Sequence, residues 1–296
     1  MLKRNPRLST RVKRTRGERI VFTIAGVIFF LYAAALVVPV LWMVMSSFKN
    51  FADYNLDLTA GRPFKLPTEW MWKNYIDAFN MMEVDGSNFA VMLFNSLWQS
   101  LLPIAIQAVV STAFAYTMSR FQFPGRNAIY TLIITVMVLP IMTGGGATFK
   151  LYQQLGLYDS PMLSVVSALG WGSFLYYYAY FQNISKSYAE AVYIDGGGEF
   201  TTFFKIMLPQ AMPLIIALSV MSFIDRWNDY LSILLYLPSY PSVGSGLYVL
   251  KSAFLRTGKD PLYFAGSTVA MIPTLVLFGA FSDTIMSNMS MGGLKG

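Results

Sequence analysis

Ile20-Val-Phe-Thr-Ile-Ala-Gly-Val-Ile-Phe-Phe-Leu-Tyr-Ala-Ala-Ala-Leu-Val-Val-Pro-Val-Leu-Trp-Met-Val-Met-Ser-Ser-Phe48 runs for 29 residues without a charge. A helix needs about 20 apolar residues to cross the hydrocarbon of a bilayer, so this stretch is long enough to span. Its apolar part is about twice the length of the apolar region of a secretory signal, and no clean small-x-small site ends it, which reads as a retained first helix. Before it, eight of the 22 Lys and Arg lie between Lys3 and Arg19. A basic arm beside an apolar run points to membrane orientation, and not to nucleic acid, in spite of a net charge of +7.

The same pattern repeats along the chain. Further uncharged runs are Gly86 to Ser119, Asn127 to Phe149, Ser160 to Ser185, Ile206 to Ile224, Tyr230 to Leu250 and Pro261 to Ser282. The run after Tyr230 holds Pro238, Pro241, Gly244 and Gly246, which is loop chemistry and would break a lipid-exposed helix. Six spans remain, and they predict an all-α polytopic membrane protein. Composition agrees: 55% of the 296 residues are hydrophobic and 12% charged, about half the charge of a soluble domain. Cys and His are both absent, which excludes thiol nucleophiles, disulfides, imidazole bases and the usual zinc and haem ligands. No catalytic residue and no metal site is expected.

With the N-terminus inside, the inner segments carry 13 basic and four acidic residues and the outer ones eight of each, so both termini are expected in the cytoplasm. The expected divisions are a basic arm 1–19, a six-helix transmembrane domain 20–286 and a tail 287–296. Within the domain, about 49–88 forms an outer segment, partly helical and too long for a plain connector. An inner segment, about 186–209, reads Tyr188-Ala-Glu-Ala-Val-Tyr-Ile-Asp-Gly-Gly-Gly-Glu-Phe-Thr-Thr-Phe-Phe-Lys-Ile-Met-Leu-Pro209. It predicts two short helices broken at Gly196, Gly197 and Gly198, with Ala189, Val192 and Tyr193 as an apolar face. Glu190, Asp195 and Glu199 make it a poor surface-lying helix, since those present Lys and Arg to anionic lipid. A docking element for a cytoplasmic protein fits better.

Glu190-Ala191-Val192, Gly196 six residues after the Glu, and Ile206-x-Leu208-Pro209 resemble at full spacing the EAA loop of ABC-importer permeases, E-A-A-x3-G-x9-I-x-L-P. Val192 departs from the second Ala, and Gly197 stands where the family commonly has another small residue. The resemblance implies that a cytoplasmic coupling helix sits in a cleft of a separate ATPase subunit, with Glu190, Ala191, Asp195, Gly196 and Gly197 as the coupling residues. It extends over nearly the whole chain. Pro39-Val-Leu-Trp42, Ser46-Ser-Phe-Lys49, Glu69-Trp-Met-Trp-Lys-Asn-Tyr75, Asn95-Ser96, Ala115-Tyr116, Arg120-Phe-Gln-Phe-Pro-Gly-Arg126, Trp227-Asn228-Asp229 and Gly292-Gly-Leu-Lys-Gly296 resemble carbohydrate-uptake permeases. The likeness is to the smaller six-span subunit of the maltose type. It implies a second permease subunit in a pseudo-symmetric heterodimer, two ATPase subunits, an external solute-binding protein and a bacterial inner-membrane location.

No G-x-x-x-x-G-K-[ST] occurs, so ATP and magnesium are expected in the partner ATPase and no cofactor in this chain. Gly144-Gly-Gly-Ala-Thr-Phe-Lys150 has the wrong spacing and reads as a thinned or interrupted helix end. Charged residues within apolar runs normally face protein or a water-filled path. Of these, Trp227, Asn228 and Asp229 are candidates for a saccharide path, because carboxylates and amides bind hydroxyls and Trp stacks on sugar faces. Asp225 with Arg226 is a candidate structural ion pair, and Asp283 is a further charge expected at membrane depth. The cargo is expected to be an oligosaccharide, with an acidic one allowed by Lys251, Arg256 and Lys259. Two alternatives stay open: a non-sugar solute, and a membrane-embedded hydrolase using Asp225 and Asp229.

Overall fold

The computed structural model describes residues 15–138, 145–170, 172–257 and 259–290. Most of the basic arm, Gly144 and the end of the tail, with Lys295 and Gly296, lie outside them. The chain begins with α1 (Arg16–Ser47), opened by a capping box in which the Thr15 hydroxyl accepts from the Glu18 amide and the Glu18 carboxylate accepts from the Thr15 amide. Two short helices follow, α2 (Phe51–Thr59) and α3 (Lys73–Met81), and a two-residue hairpin, β1 (Glu83–Val84) with β2 (Ser87–Asn88). Residues 49–88 thus carry two short helices and a hairpin. Then come α4 (Phe89–Arg120), α5 (Arg126–Val138), α6 (Gly145–Gln154), α7 (Met162–Ser167) and α8 (Phe174–Asn183). The remainder is α9 (Ser187–Ile194), α10 (Glu199–Thr202), a π-helical stretch Phe203–Met207, α11 (Leu208–Trp227), α12 (Leu231–Tyr236), α13 (Val243–Thr257) and α14 (Asp260–Ser290).

Among the described residues, four stretches are long and apolar enough to cross a membrane as continuous helices: α1, α4, the run Glu199–Trp227 and Asp260–Thr284 in α14. Of the other two expected spans, the run 160–185 divides between α7 and α8, where Gly170 and Gly172 lower helix stability, and the run 127–149 contributes α5 and α6, with 139–144 outside the described residues.

The expected loop after Tyr230 is only partly a loop. Pro238 and Pro241 stay in the turn between α12 and α13, but Gly244 and Gly246 lie on α13. A Cβ on Gly246 would stand 2.1 Å from the Met92 sulfur, so the residue gives α4 and α13 room to close together. Glycine at that position is a packing device and does not break the helix.

Two buried clusters organise the molecule. One joins α3, α4, α13 and α14 through Ala78, Met82, Phe89, Met92, Val243, Leu262 and Ala265. The other joins α4, α5, α8, the π stretch and α11 through Tyr116, Met118, Ile133, Phe174, Tyr177, Phe181, Met207 and Ala211. Helix α4 has 32 residues and enters both. At 1.5 Å per residue it is about 48 Å long and holds them toward its two ends.

Candidate functional site

The bend between α9 and α10 is built by its glycines. Gly196 sits at φ +79, the left-handed region that costs a side-chain-bearing residue. Its amide donates to the Tyr193 carbonyl at 3.0 Å, and the Gly197 amide donates to the Val192 carbonyl at 2.8 Å. Together these bonds close α9 as a Schellman motif. Gly197 answers a different demand. A Cβ there would lie 2.5 Å from Cγ1 of Val192, so the bulkier residue at 192 and the missing side chain at 197 fit each other.

Glu190, Ala191 and Asp195 are exposed on this bend, and Ile194 and Phe200 are 86% and 82% exposed. The expected apolar face divides. Ala189 and Val192 are partly buried, with Ala189 packed on the Tyr116 cluster, whereas Tyr193 stays exposed. Its hydroxyl donates to Glu199, whose other carboxylate oxygen accepts from the Tyr116 hydroxyl at 3.2 Å. That hydrogen bond raises the Tyr193 phenol above its ordinary pKa, because ionising it would set two negative charges together. Arg120 of α4 donates to the Ile184 carbonyl at 2.7 Å just before the bend. Beyond it, Pro209 has no amide to bond the Lys205 carbonyl and crowds it, which accounts for the widened turns at Phe203–Met207.

The last turn of α11 groups its polar residues differently from the sequence expectation. Trp227 is buried, stacks on Phe223 at 5.3 Å and donates its indole N–H to the Ala270 carbonyl at 2.9 Å, so it ties α11 to α14. With Asn228 it edges a cavity of about 240 Å³ against α13 and α14. Asp225 and Arg226 do not form an ion pair: among the described residues the salt bridges are Lys49–Asp57 and Lys65–Asp57. Neighbours on a helix point about 100° apart. Arg226 instead reaches Ser167 of α7 at 3.4 Å. Asp225, Arg226 and Asp229 line one cavity of about 360 Å³ with Gln107 and Ser222. Arg226 and Asp229 also line a second, of about 150 Å³, with Gln99, Ser164 and Ser167. Asp229 has a local duty too, since its carboxylate accepts from the Ser232 amide at 3.0 Å at the start of α12.

The sequence places Lys49 and Asp57 only in the charge count of the expected outer segments. They are a buried pair at 2.8 Å, with Lys49 only 1% exposed, and Lys65 joins Asp57 from the surface at 3.3 Å. The Lys49 ammonium holds the Asp57 carboxyl below its ordinary pKa. Asn74 donates to the carbonyls of Ser47 and Lys49 at 2.8 and 2.9 Å, and the Phe48 ring packs among Trp70, Trp72 and Tyr75. Two stretches quoted separately from the sequence thus form one knot. Tyr54 and Asp57, both buried three residues apart on α2, carry the signal that could have found it. Asn95 and Ser96 likewise bind one turn: Asn95 donates to the Pro241 carbonyl at 3.0 Å, and Ser96 accepts from the Val243 amide at 2.8 Å.

Residues 113–290 match the family described as binding-protein-dependent transport system inner membrane component. The diacetylchitobiose uptake system permease protein NgcG of Streptomyces coelicolor is 27% identical over 290 residues, covering 94% of this chain and 91% of that one. The inner membrane ABC transporter permease protein YcjP of Escherichia coli is 30% identical over 267 residues, covering 87% and 91%. The arabinooligosaccharides transport system permease protein AraQ of Bacillus subtilis is 26% identical over 288 residues, covering 93% and 97%. In fold, the chain resembles one in the crystal structure of a bacterial ABC transporter involved in the import of the acidic polysaccharide alginate. The TM-score is 0.76 at 20% identity, covering 91% of this chain and 98% of that chain.

Proposed function

This chain belongs to the family of inner membrane components of binding-protein-dependent transport systems, and we propose that it is the permease subunit of an ATP-driven importer of oligosaccharides. It is a multi-pass transport component, not the hydrolase that Asp225 and Asp229 left open. The relatives named for diacetylchitobiose and arabinooligosaccharides support a sugar cargo. In this reading the chain crosses the membrane six times with both termini in the cytoplasm. It pairs with a second permease subunit and receives cargo from an external solute-binding protein. ATP and magnesium belong to two partner ATPase subunits.

The observation that carries the coupling role is the bend at Gly196. It presents Glu190, Ala191, Ile194, Asp195 and Phe200 to the surface on a backbone fixed by the Schellman bonds. Apolar side chains so exposed at a rigid corner suit a partner protein's cleft. Motion of that partner would move α10 and α11, and with them the Asp225, Arg226 and Asp229 cavity, where carboxylates and a guanidinium can exchange hydrogen bonds with sugar hydroxyls.

The test is Gly196→Val in the complete complex in liposomes with its binding protein. A β-branched residue at positive φ is strained by about 1–3 kcal/mol, so transport should fall about tenfold or more while the yield of inserted complex is kept. Transport at the unaltered rate would reduce the bend to a connector.

A further inference from the structure

We propose that Glu199 is a positioning residue that locks the docking bend to α4, so that movement of the bend reaches two membrane helices and not only the one that continues its chain. The inference rests on the docking role of the bend. Glu199 lies in the x9 stretch between Gly196 and Ile206, outside the positions that define the sequence pattern.

Its carboxylate joins both sides of the corner. One oxygen accepts from Tyr193, in the last turn of α9, and the other from Tyr116, near the far end of α4. The two tyrosines play unequal parts. Tyr193 is exposed, and travels with α9. Tyr116 is buried, its ring held among Phe121 at 6.0 Å, Phe181 at 5.5 Å and Phe203 at 4.8 Å. Its hydroxyl is therefore a fixed post in the core cluster, and Glu199 is the strut between that post and the docking helix. Hydrogen bonds to a charged acceptor are the stronger kind, and this carboxylate accepts two.

The route along the backbone is softer. From α10 to α11 the chain passes through the π-helical stretch Phe203–Met207, whose wider turns are less regular than an α-helix. A displacement of α9 can be absorbed there. Through Glu199 and Tyr116 the same displacement arrives at α4 directly, and α4 packs along α8 as well as α11. The lock accordingly spreads one push over α4, α8 and α11.

The experiment measures ATP hydrolysed and saccharide transported together, in the full complex in liposomes. Tyr116→Phe keeps the ring contacts and removes only the hydroxyl. Saccharide moved per ATP should drop about tenfold, the loss of one hydrogen bond to a charged group, while hydrolysis and complex yield persist. Glu199→Gln should add no further loss in the Tyr116→Phe background, because the link from α9 to α4 is already broken there. An unchanged transport ratio in Tyr116→Phe, a proportional fall of hydrolysis and transport, or additive losses in the double variant would overturn the lock. Tyr193→Phe, at an exposed position, checks the other arm with the same expected drop, and no drop there would also overturn it. If Gly196→Val is harmless the docking role itself fails; if Gly196→Val abolishes transport and Tyr116→Phe does nothing, docking stands and the lock falls.

Discussion

The knot around Lys49 and the bend around Gly196 lie toward opposite ends of the molecule and are finished in opposite ways. In the knot the charged and amide groups have partners within the chain, Lys49 on Asp57 and Asn74 on two carbonyls, and the Phe48 ring packs among aromatic neighbours. In the bend the backbone is closed by its own hydrogen bonds, but Ile194 and Phe200 are left in the open. A region that satisfies itself contributes to the fold. One that fixes its backbone and leaves apolar side chains uncovered is shaped for something else to complete it.

The contrast predicts where substitutions cost stability. The largest effect is expected for Asp57→Asn, which strands the buried Lys49 charge; recovery of folded protein after detergent extraction should collapse. Replacing the pair together by Lys49→Met and Asp57→Leu should restore much of it, since apolar residues of similar size substitute well for a buried pair. If Asp57→Asn alone is well folded, the knot is not the finished region described. A smaller loss is expected at the bend. Gly197→Ala should lower stability by about 1–3 kcal/mol through overpacking against Val192, and Val192→Ala should relieve it in a thermal-unfolding double-mutant cycle. Additive losses would show that the two residues do not share the space. Smallest is Lys65→Ala, at a half-exposed partner of Asp57, where the melting temperature should stay within what about 0–1 kcal/mol allows.

Much of this was legible in the sequence because membrane spans and glycine bends leave strong local signals. The apolar runs marked the long helices, and Gly196 to Gly198 marked the corner between α9 and α10. What escaped depended on partners distant along the chain. Gly246 looks like a helix breaker until Met92 is placed beside it, 154 positions earlier in the numbering. Asp225 and Arg226 look like a pair because they are adjacent, yet adjacency on a helix turns them apart. Lys49 and Asp57 look like surface charges because charged residues usually are, and only the fold of residues 49–88 encloses them. Glu199 was noticed as a charge, but its role needed Tyr116, which lies 83 residues away.

The close contact of Met92 with Gly246 has a parallel at Met82, whose sulfur and methyl group would lie 2.6 and 2.5 Å from a Cβ on Gly266. Both thioethers are buried, at 1% and 0% exposure, in notches that exist only because two glycines lack side chains. Oxidation to the sulfoxide adds a polar oxygen to the sulfur and stiffens it, and notches this tight leave little room for one. A protein without cysteine has methionine as its main sulfur target for oxidants. Here the shape of α13 and α14 shields two of those targets, while exposed methionines such as Met81 and Met162 are left to react first.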